Sequence, residues 1–353
     1  MRTPTLMLCA LLLAAGAPPA AQAQEADAPA KVAKKAAAKK KPVPKVAKPR
    51  GPAAKELFGA ARTPALLTAR AIGYYAKGCL AGGTALPVDG PAWQAMRLSR
   101  NRNWGHPQLV GLVEKLGLEA KQHDGWPGLL VGDLSQPRGG PMLTGHASHQ
   151  VGLDADIWLT PMPNRRLSEK EREELSATSM LAADRISVDP ELWKPEHARL
   201  IKRAASYAAV ERIFVHPAIK KALCASDAAK TDRAWLSKVR PMWGHHYHFH
   251  IRIDCPDGST NCEKQPAPAS EDGCGAELTH WLALVKAPPK PEVPGPSRPG
   301  IMLDQLPTEC RAVLASGTEP PPGGAAVAPE KKAPDKAPEK AKVAVPKKSA
   351  EKK

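Results

Sequence analysis

From Gly244 to Ile253 the chain reads Gly-His-His-Tyr-His-Phe-His-Ile-Arg-Ile. At a period of two, Tyr247, Phe249, Ile251 and Ile253 fall on one face of a strand, and His248, His250 and Arg252 on the other. A second alternation sets Leu153, Ala155, Ile157 and Leu159 against Asp154, Asp156 and Trp158. Each strand thus has an apolar face for a core and a face carrying ionisable groups. Helical spacing opens the stretch from Glu56, and Ala71 to Tyr75 then reads as extended. His106 to Leu118 is a predicted helix with Leu109, Val110, Leu112, Val113 and Leu116 on its apolar side, and Leu129 to Leu134 a predicted strand. Pro161 to Arg166 reads as a loop, and Ser168-x-x-Glu171 is a capping box that opens another helix. Trp193 to Ala209 follows as a helix and Val210 to His216 as a strand. Trp235 and Trp243 are expected to line or support the cleft beside the Gly244-His245 turn. Short strands mixed with helices, without regular βαβ alternation, predict an α+β fold with a small, mostly antiparallel sheet.

The ends differ from this centre. Arg2, the apolar run Leu6 to Ala15 and the small residues Ala21-Gln22-Ala23 have the form of a secretory signal peptide over residues 1–23. That run is shorter than the ~20 residues a membrane-crossing helix needs. Cys9 follows Leu8 inside it, which argues against a lipoprotein. Residues 24–55 and 319–353 are dominated by Lys, Ala and Pro and cannot bury a core, so disorder is expected in both. The formal net charge is +16, and the Lys-rich stretches account for most of it. The intervening domain, 56–318, is only mildly basic. Two polycations can bind DNA nonspecifically, but an exported chain meets anionic wall and membrane polymers first. A solvated spacer without a partner fits the composition equally.

Export also bears on the cysteines. With Cys9 removed, six remain, an even number in an oxidising compartment, which reads as disulfides. The seven-residue Cys255–Cys262 interval spans a turn and suits a local bridge. Cys79 and Cys310 lie near the two limits of the domain and would tie them together, leaving Cys224 with Cys274. A zinc-thiolate site would want Cys-x2-Cys spacing, which these residues lack.

Six of the eleven histidines lie in two stretches, Gly145 to Asp156 and Gly244 to His250. A catalytic zinc wants about three protein ligands from imidazole and carboxylate, with one position open. His149, Asp156 and His250 fit that set. The helix-borne His-Glu-x-x-His motif is absent, and with it the usual glutamate base. A histidine must then take the proton, and free imidazole titrates near pH 6.5. His248 is the first candidate and His245 the second. His146 is open between orienting a ligand, binding the metal directly and capping a turn. His246 looks spare, and His216, before Pro217, reads as a loop residue. The alternation of Arg97, Arg100 and Arg102 with asparagines gives a polar loop that is either plain surface or a reader of substrate carboxylates.

The spacing His-x6-Asp followed by His-x-His resembles the metallopeptidase group of lysostaphin, D-alanyl-D-alanine peptidases and the hedgehog signalling domain. More specifically, Tyr75 to Leu80 with Ala81-Gly82-Gly83, Ser99 to Pro107, Gln136 to Pro141 and Gly145 to Asp156 resemble the penicillin-insensitive murein endopeptidase family, over roughly residues 70 to 312. The resemblance implies hydrolysis of the D-alanyl-meso-diaminopimelate cross-link of periplasmic peptidoglycan, with Zn2+ as cofactor. Because no acyl-serine forms, β-lactams should not trap such an enzyme. The Lys-rich stretches are outside the pattern expected of that family. The alternative from another class is a non-catalytic cell-wall binding module that keeps zinc structurally, for which the hedgehog relatives are a precedent. A passive anchor for the two polycations is a third. Neither oligomeric state nor a second metal is readable from these residues.

Overall fold

The computed structural model describes residues 52–287 and 300–317. The expected signal peptide, nearly all of the Lys-rich segment before residue 56 and the tail from residue 319 lie outside the described residues. Seven helices are present among them: α1 (Ala54–Ala60), α2 (Pro107–His123), α3 (Glu169–Glu174), α4 (Pro195–Ser206), α5 (Pro217–Ala225), α6 (Ala276–Lys286) and α7 (Glu309–Ala315). The strands are β1 (Arg70–Tyr74), β2 (Lys77–Ala81), β3 (Thr84–Ala85), β4 (Asp89–Gly90), β5 (Trp93–Ala95), β6 (Trp104–Gly105), β7 (Leu129–Val131), β8 (Asp154–Trp158), β9 (Val210–Val215), β10 (Val239–Pro241) and β11 (His248–Ile253). Helix α1 begins two residues before the boundary that composition suggests, because Ala54 is already fully buried and its N–H donates to Ile301 O.

The main sheet runs β10-β9-β11-β8-β7-β5-β4. Its β10/β9 and β5/β7 pairs are parallel and the others antiparallel, so the fold is α+β with the mostly antiparallel sheet expected. On one face Ala155, Ile157, Phe249, Ile251 and Ile253 are fully buried against α2 and α4 in the principal core. Each large apolar side chain there contributes roughly 1.5–3 kcal/mol by leaving water. The opposite face is covered too. Trp158 packs with Met96, Leu130 and Leu167 in a small second cluster, and His248, His250 and Arg252 are all buried. Alternation therefore assigns the faces correctly, but the polar face is a cleft wall rather than open surface.

Element ends follow local chemistry. His106 caps α2 by accepting from Gln108 N, Pro107 fills the first turn, and the helix runs on to His123 past the expected Leu118. Its last turn is polar, so apolar periodicity fades there while the helix continues. Helix α4 starts at Pro195 rather than Trp193, since a residue before proline is driven out of the α region. The capping box of α3 forms as expected between Ser168 and Glu171. Strand β7 ends at Val131, not Leu134; beyond it the chain stays tied to β8 through Gly132 N to Asp156 O and Asp156 N to Asp133 O. Trp235 is a correction: it is buried in the core and donates to Asp232 O, away from the cleft.

All three expected disulfides are present: Cys79–Cys310, Cys224–Cys274 and Cys255–Cys262. The first joins β2 to α7 in a separate apolar cluster with Phe58, Leu306 and Val313. Arg138 reinforces that closure by donating to Thr63 O, Val313 O and Leu314 O.

Candidate metal centre

Strands β8 and β11 are neighbours, and their register places His250 opposite Asp156 and His248 opposite Trp158. His149 arrives from the segment before β8. Its backbone is left-handed, with φ of +68°, and its N–H donates to Asp154 Oδ2 at 2.9 Å. A non-glycine residue held in that region is strained, and such strain gathers at functional sites.

Two of the imidazoles around Asp156, His149 and His250, are oriented by a bond at the far nitrogen. His149 Nδ1–H donates to Leu134 O at 2.6 Å, which leaves Nε2 facing Asp156 Oδ1 at 3.5 Å. His250 Nε2–H donates to Asp154 Oδ1 at 2.8 Å, which leaves Nδ1 facing the same Oδ1 at 3.4 Å. Ligands about 2.0–2.1 Å from a tetrahedral zinc are about 3.3–3.5 Å apart, so both separations match edges of such a site. Among the described residues, His149 Nε2 and Asp156 Oδ1 are moreover buried with no hydrogen-bond partner. Buried polar atoms are rarely left so, and a cation between them would satisfy both. The carboxylate–histidine and carbonyl–histidine pairs are the outer support that metal-binding imidazoles commonly have.

His146 stands on the other oxygen of Asp156. Its Nε2 lies 3.5 Å from Asp156 Oδ2 and 3.1 Å from Asp133 Oδ2. His146, His149 and Asp156 each offer a ligand atom within 4.8 Å of the others, a candidate metal group in its own right. His250 adds a fourth donor on the Oδ1 side.

His248 Nε2 is 3.5 Å from Asp156 Oδ1, while its Nδ1 is buried without a partner among the described residues. Burial pushes the His248 imidazole down to about 4 against the pull of Asp156, so it is neutral at neutral pH. His245 also has a left-handed backbone, φ +50°, and its Nδ1–H donates to Trp243 O at 2.6 Å. Its ring centre lies 4.9 Å from that of His248 and 5.7 Å from that of His250. The structure thus brings five histidines and Asp156 together. His246 stays outside, bonded to Ser179 Oγ at 2.9 Å, and His216 caps α5 by accepting from Ala218 N.

Two carboxylates of the centre were not singled out by sequence reasoning. Asp154 receives His250, the N–H of His149 and Arg252 Nε, the last at 2.7 Å. Burial would raise its carboxyl, but Arg252 and His250 outweigh that and hold it ionised. Its place on the polar face, two residues before Asp156, is a signal that was available. Asp133 receives His146, Arg100 and Arg102 on one oxygen. Burial again opposes ionisation, and these three partners overcome it to hold the carboxyl at about 2. Nothing in the Gly132-Asp133-Leu134 string marks it.

The centre lies between two cavities. One of about 830 Å3 is lined by His146, His245 and His250 together with Phe214, Trp243 and Trp281. The other, about 270 Å3, is lined by His146, Asp156 and His248 with Arg97, Arg100 and Tyr247.

The family model described as penicillin-insensitive murein endopeptidase matches residues 71–315. The chain belongs to this family. A penicillin-insensitive murein endopeptidase of Haemophilus influenzae is 45% identical over 248 residues, covering 69% of this chain and 82% of the relative. Proteins of the same name from Pectobacterium atrosepticum and Klebsiella pneumoniae are each 42% identical, covering 71% and 70% of this chain and 86% of each relative. The span matched to the murein endopeptidase family takes in all six paired cysteines and every residue of the centre. The Lys-rich stretches fall outside it. No helix among the described residues is long and apolar enough to cross a membrane.

Proposed function

We propose that this protein is a zinc-dependent peptidoglycan endopeptidase that hydrolyses the D-alanyl-meso-diaminopimelate cross-link and, forming no acyl-serine, is insensitive to β-lactams. The observation that carries the reading is the convergence of His149 Nε2 and His250 Nδ1 on Asp156 Oδ1 at 3.5 and 3.4 Å, each imidazole fixed from behind. Membership of the murein endopeptidase family supports the substrate. In this reading His149, Asp156 and His250 hold the zinc, and His146, tied to Asp133, steadies the second oxygen of Asp156.

Zinc, when bound, supplies Lewis acidity toward the scissile carbonyl. The chain's own groups do the rest. His248, neutral and on the same strand face as His250, takes a proton from the attacking water and returns it to the departing amine. His245, with its Nδ1–H held by Trp243 O, borders the site on the other side and is the second candidate for that role. Buried Asp156 keeps its charge beside them. The cavities on either side leave room for two peptide arms. A non-catalytic zinc module has no use for a neutral imidazole and paired cavities beside its metal, which favours the enzyme.

The expected place of action is the periplasm. Supporting it are the signal-like residues 1–23 and the three disulfides, which persist in oxidising compartments. The decisive experiment incubates purified protein with cross-linked murein, with and without a chelator, and identifies released peptides by mass. Peptides cut at the cross-link, lost on chelation and restored by Zn2+, are expected. Release unaffected by the chelator, or no release, would overturn the proposal.

A further inference from the structure

The loop from Arg97 to Trp104 borders the smaller cavity, and nearly all of its side chains are spent on the protein itself. Arg97 donates to Arg172 O and Leu175 O. Ser99 donates to Glu173 through both backbone and hydroxyl, and Asn101 bridges Arg62 O and Trp104 Nε1. Arg102 is buried between Asp133 and Thr144. Arg97 and Asn101 both adopt left-handed backbone, φ +56° and +52°, on either side of the turn that presents Arg100. That conformation is strained for non-glycine residues and holds only where neighbours enforce it.

Arg100 is the exception in this loop. Among the described residues its side chain makes one hydrogen bond, Nη1 to Asp133 Oδ2 at 3.1 Å, and it is 46% exposed. That oxygen is already shared with Arg102 and His146. Arg100 lines the cavity that Asp156 and His248 also line. One carboxylate therefore serves two guanidinium groups, and among the described residues the other donors of Arg100 have no partner, on a side chain that lines the cavity.

As the proton carrier proposed above, His248 decides which part of the substrate belongs there. It lines the smaller cavity and not the larger one, whereas His245 lines only the larger. The group that protonates the departing amine must be beside that amine, so the amine half of the scissile amide enters the smaller cavity. In the cross-link proposed above, the carbon bearing that nitrogen also bears a free carboxylate, one bond further on. A guanidinium fork binds carboxylates in two-point geometry.

We infer that Arg100 is a specificity-determining residue that binds the free carboxylate adjacent to the scissile nitrogen, the acyl arm lying in the larger cavity past Phe214 and Trp243. The inference rests on the murein endopeptidase reading and deepens it. An enzyme built this way prefers amides whose amine carbon carries a carboxylate over those in which it is blocked.

The test uses the full-length zinc-loaded protein and two soluble cross-linked peptide dimers, one with that carboxylate free and one with it as the carboxamide. Wild-type protein should show kcat/KM lower on the carboxamide by roughly 10- to 100-fold, the range for a hydrogen bond to a charged group. Arg100→Gln should lose about the same factor on the free carboxylate, mainly through KM, with unchanged zinc content. On the carboxamide it should stay within about twofold of wild type, and Arg100→Lys should restore part of the preference, since it keeps charge without the fork. Equal losses on both dimers would mean that Arg100 acts only through Asp133 and would overturn the inference, as would a wild-type enzyme indifferent to the carboxamide. Cleavage of neither dimer by wild type would instead overturn the murein endopeptidase reading on which it stands.

Discussion

His250 lies directly opposite Asp156 in the antiparallel pair β11/β8, with Nδ1 3.4 Å from Oδ1. Two strands ninety residues apart in sequence are thereby joined at the one point where their polar faces carry an imidazole and a carboxylate. If the pair holds zinc with His149, then His149→Ala, Asp156→Ala and His250→Ala should each remove most of the bound metal, measured by elemental analysis after dialysis. Near-stoichiometric zinc in any one would take that residue out of the set.

Asp154 tests the orientation of His250. With Asp154→Asn the acceptor of His250 Nε2–H is weakened, and zinc affinity should fall about 10- to 100-fold, as for other outer-shell partners. Competition with a chromogenic chelator measures it. Unchanged affinity would show that packing alone orients the ring.

For His248 the expected outcome is a separation of metal from turnover. His248→Ala should keep its zinc and lose roughly 10²–10⁴ in kcat, the usual contribution of a general base. Full activity would move the role to His245.

Lys220 sets a pH dependence of its own. It is fully buried, donating to Leu236 O and Asp272 O, and burial pushes its ammonium down to about 7 from 10.5. Below pH 7 both folded and unfolded forms carry the proton and the burial cost is undiminished. Between pH 7 and 10.5 the unfolded chain binds more protons, so this residue makes stability rise with pH by a few kcal/mol in all. In Lys220→Met that rise should vanish from denaturant midpoints measured across the window. Parallel profiles for the two proteins would contradict the burial argument.

The Lys-rich stretches yield a salt experiment. Nine Lys or Arg in residues 24–50 and nine Lys in 319–353 should attract anionic wall polymer through interactions screened over about 8 Å at physiological salt. A version trimmed to residues 51–318 should turn over small soluble cross-linked peptides normally yet bind intact sacculi less at low salt, the difference shrinking as salt rises. Equal sacculus binding at low salt would leave the stretches as spacers.

Period-two alternation was enough to place Phe249, Ile251 and Ile253 in the core and His248, His250 and Asp156 away from it, because side chains on a strand have no other choice of face. Cysteine number and spacing carried the three disulfides, and residue chemistry singled out histidines and Asp156 that the fold gathers at the candidate metal centre. The α+β class followed from the mixture of short strands and helices. What alternation cannot state is which strands become neighbours or what covers the polar face. Asp133 and the carbonyl of Leu134 reach the centre from beyond β7, where no periodicity marks them. Trp235 and Trp243 are alike as residues, yet one is core and the other cleft wall. The choice of ring nitrogen was likewise decided only in three dimensions, since a histidine's free lone pair depends on the acceptor that holds its other nitrogen. For His149 and His250 those acceptors are Leu134 O and Asp154, brought within 2.6 and 2.8 Å by strand pairing and a left-handed turn.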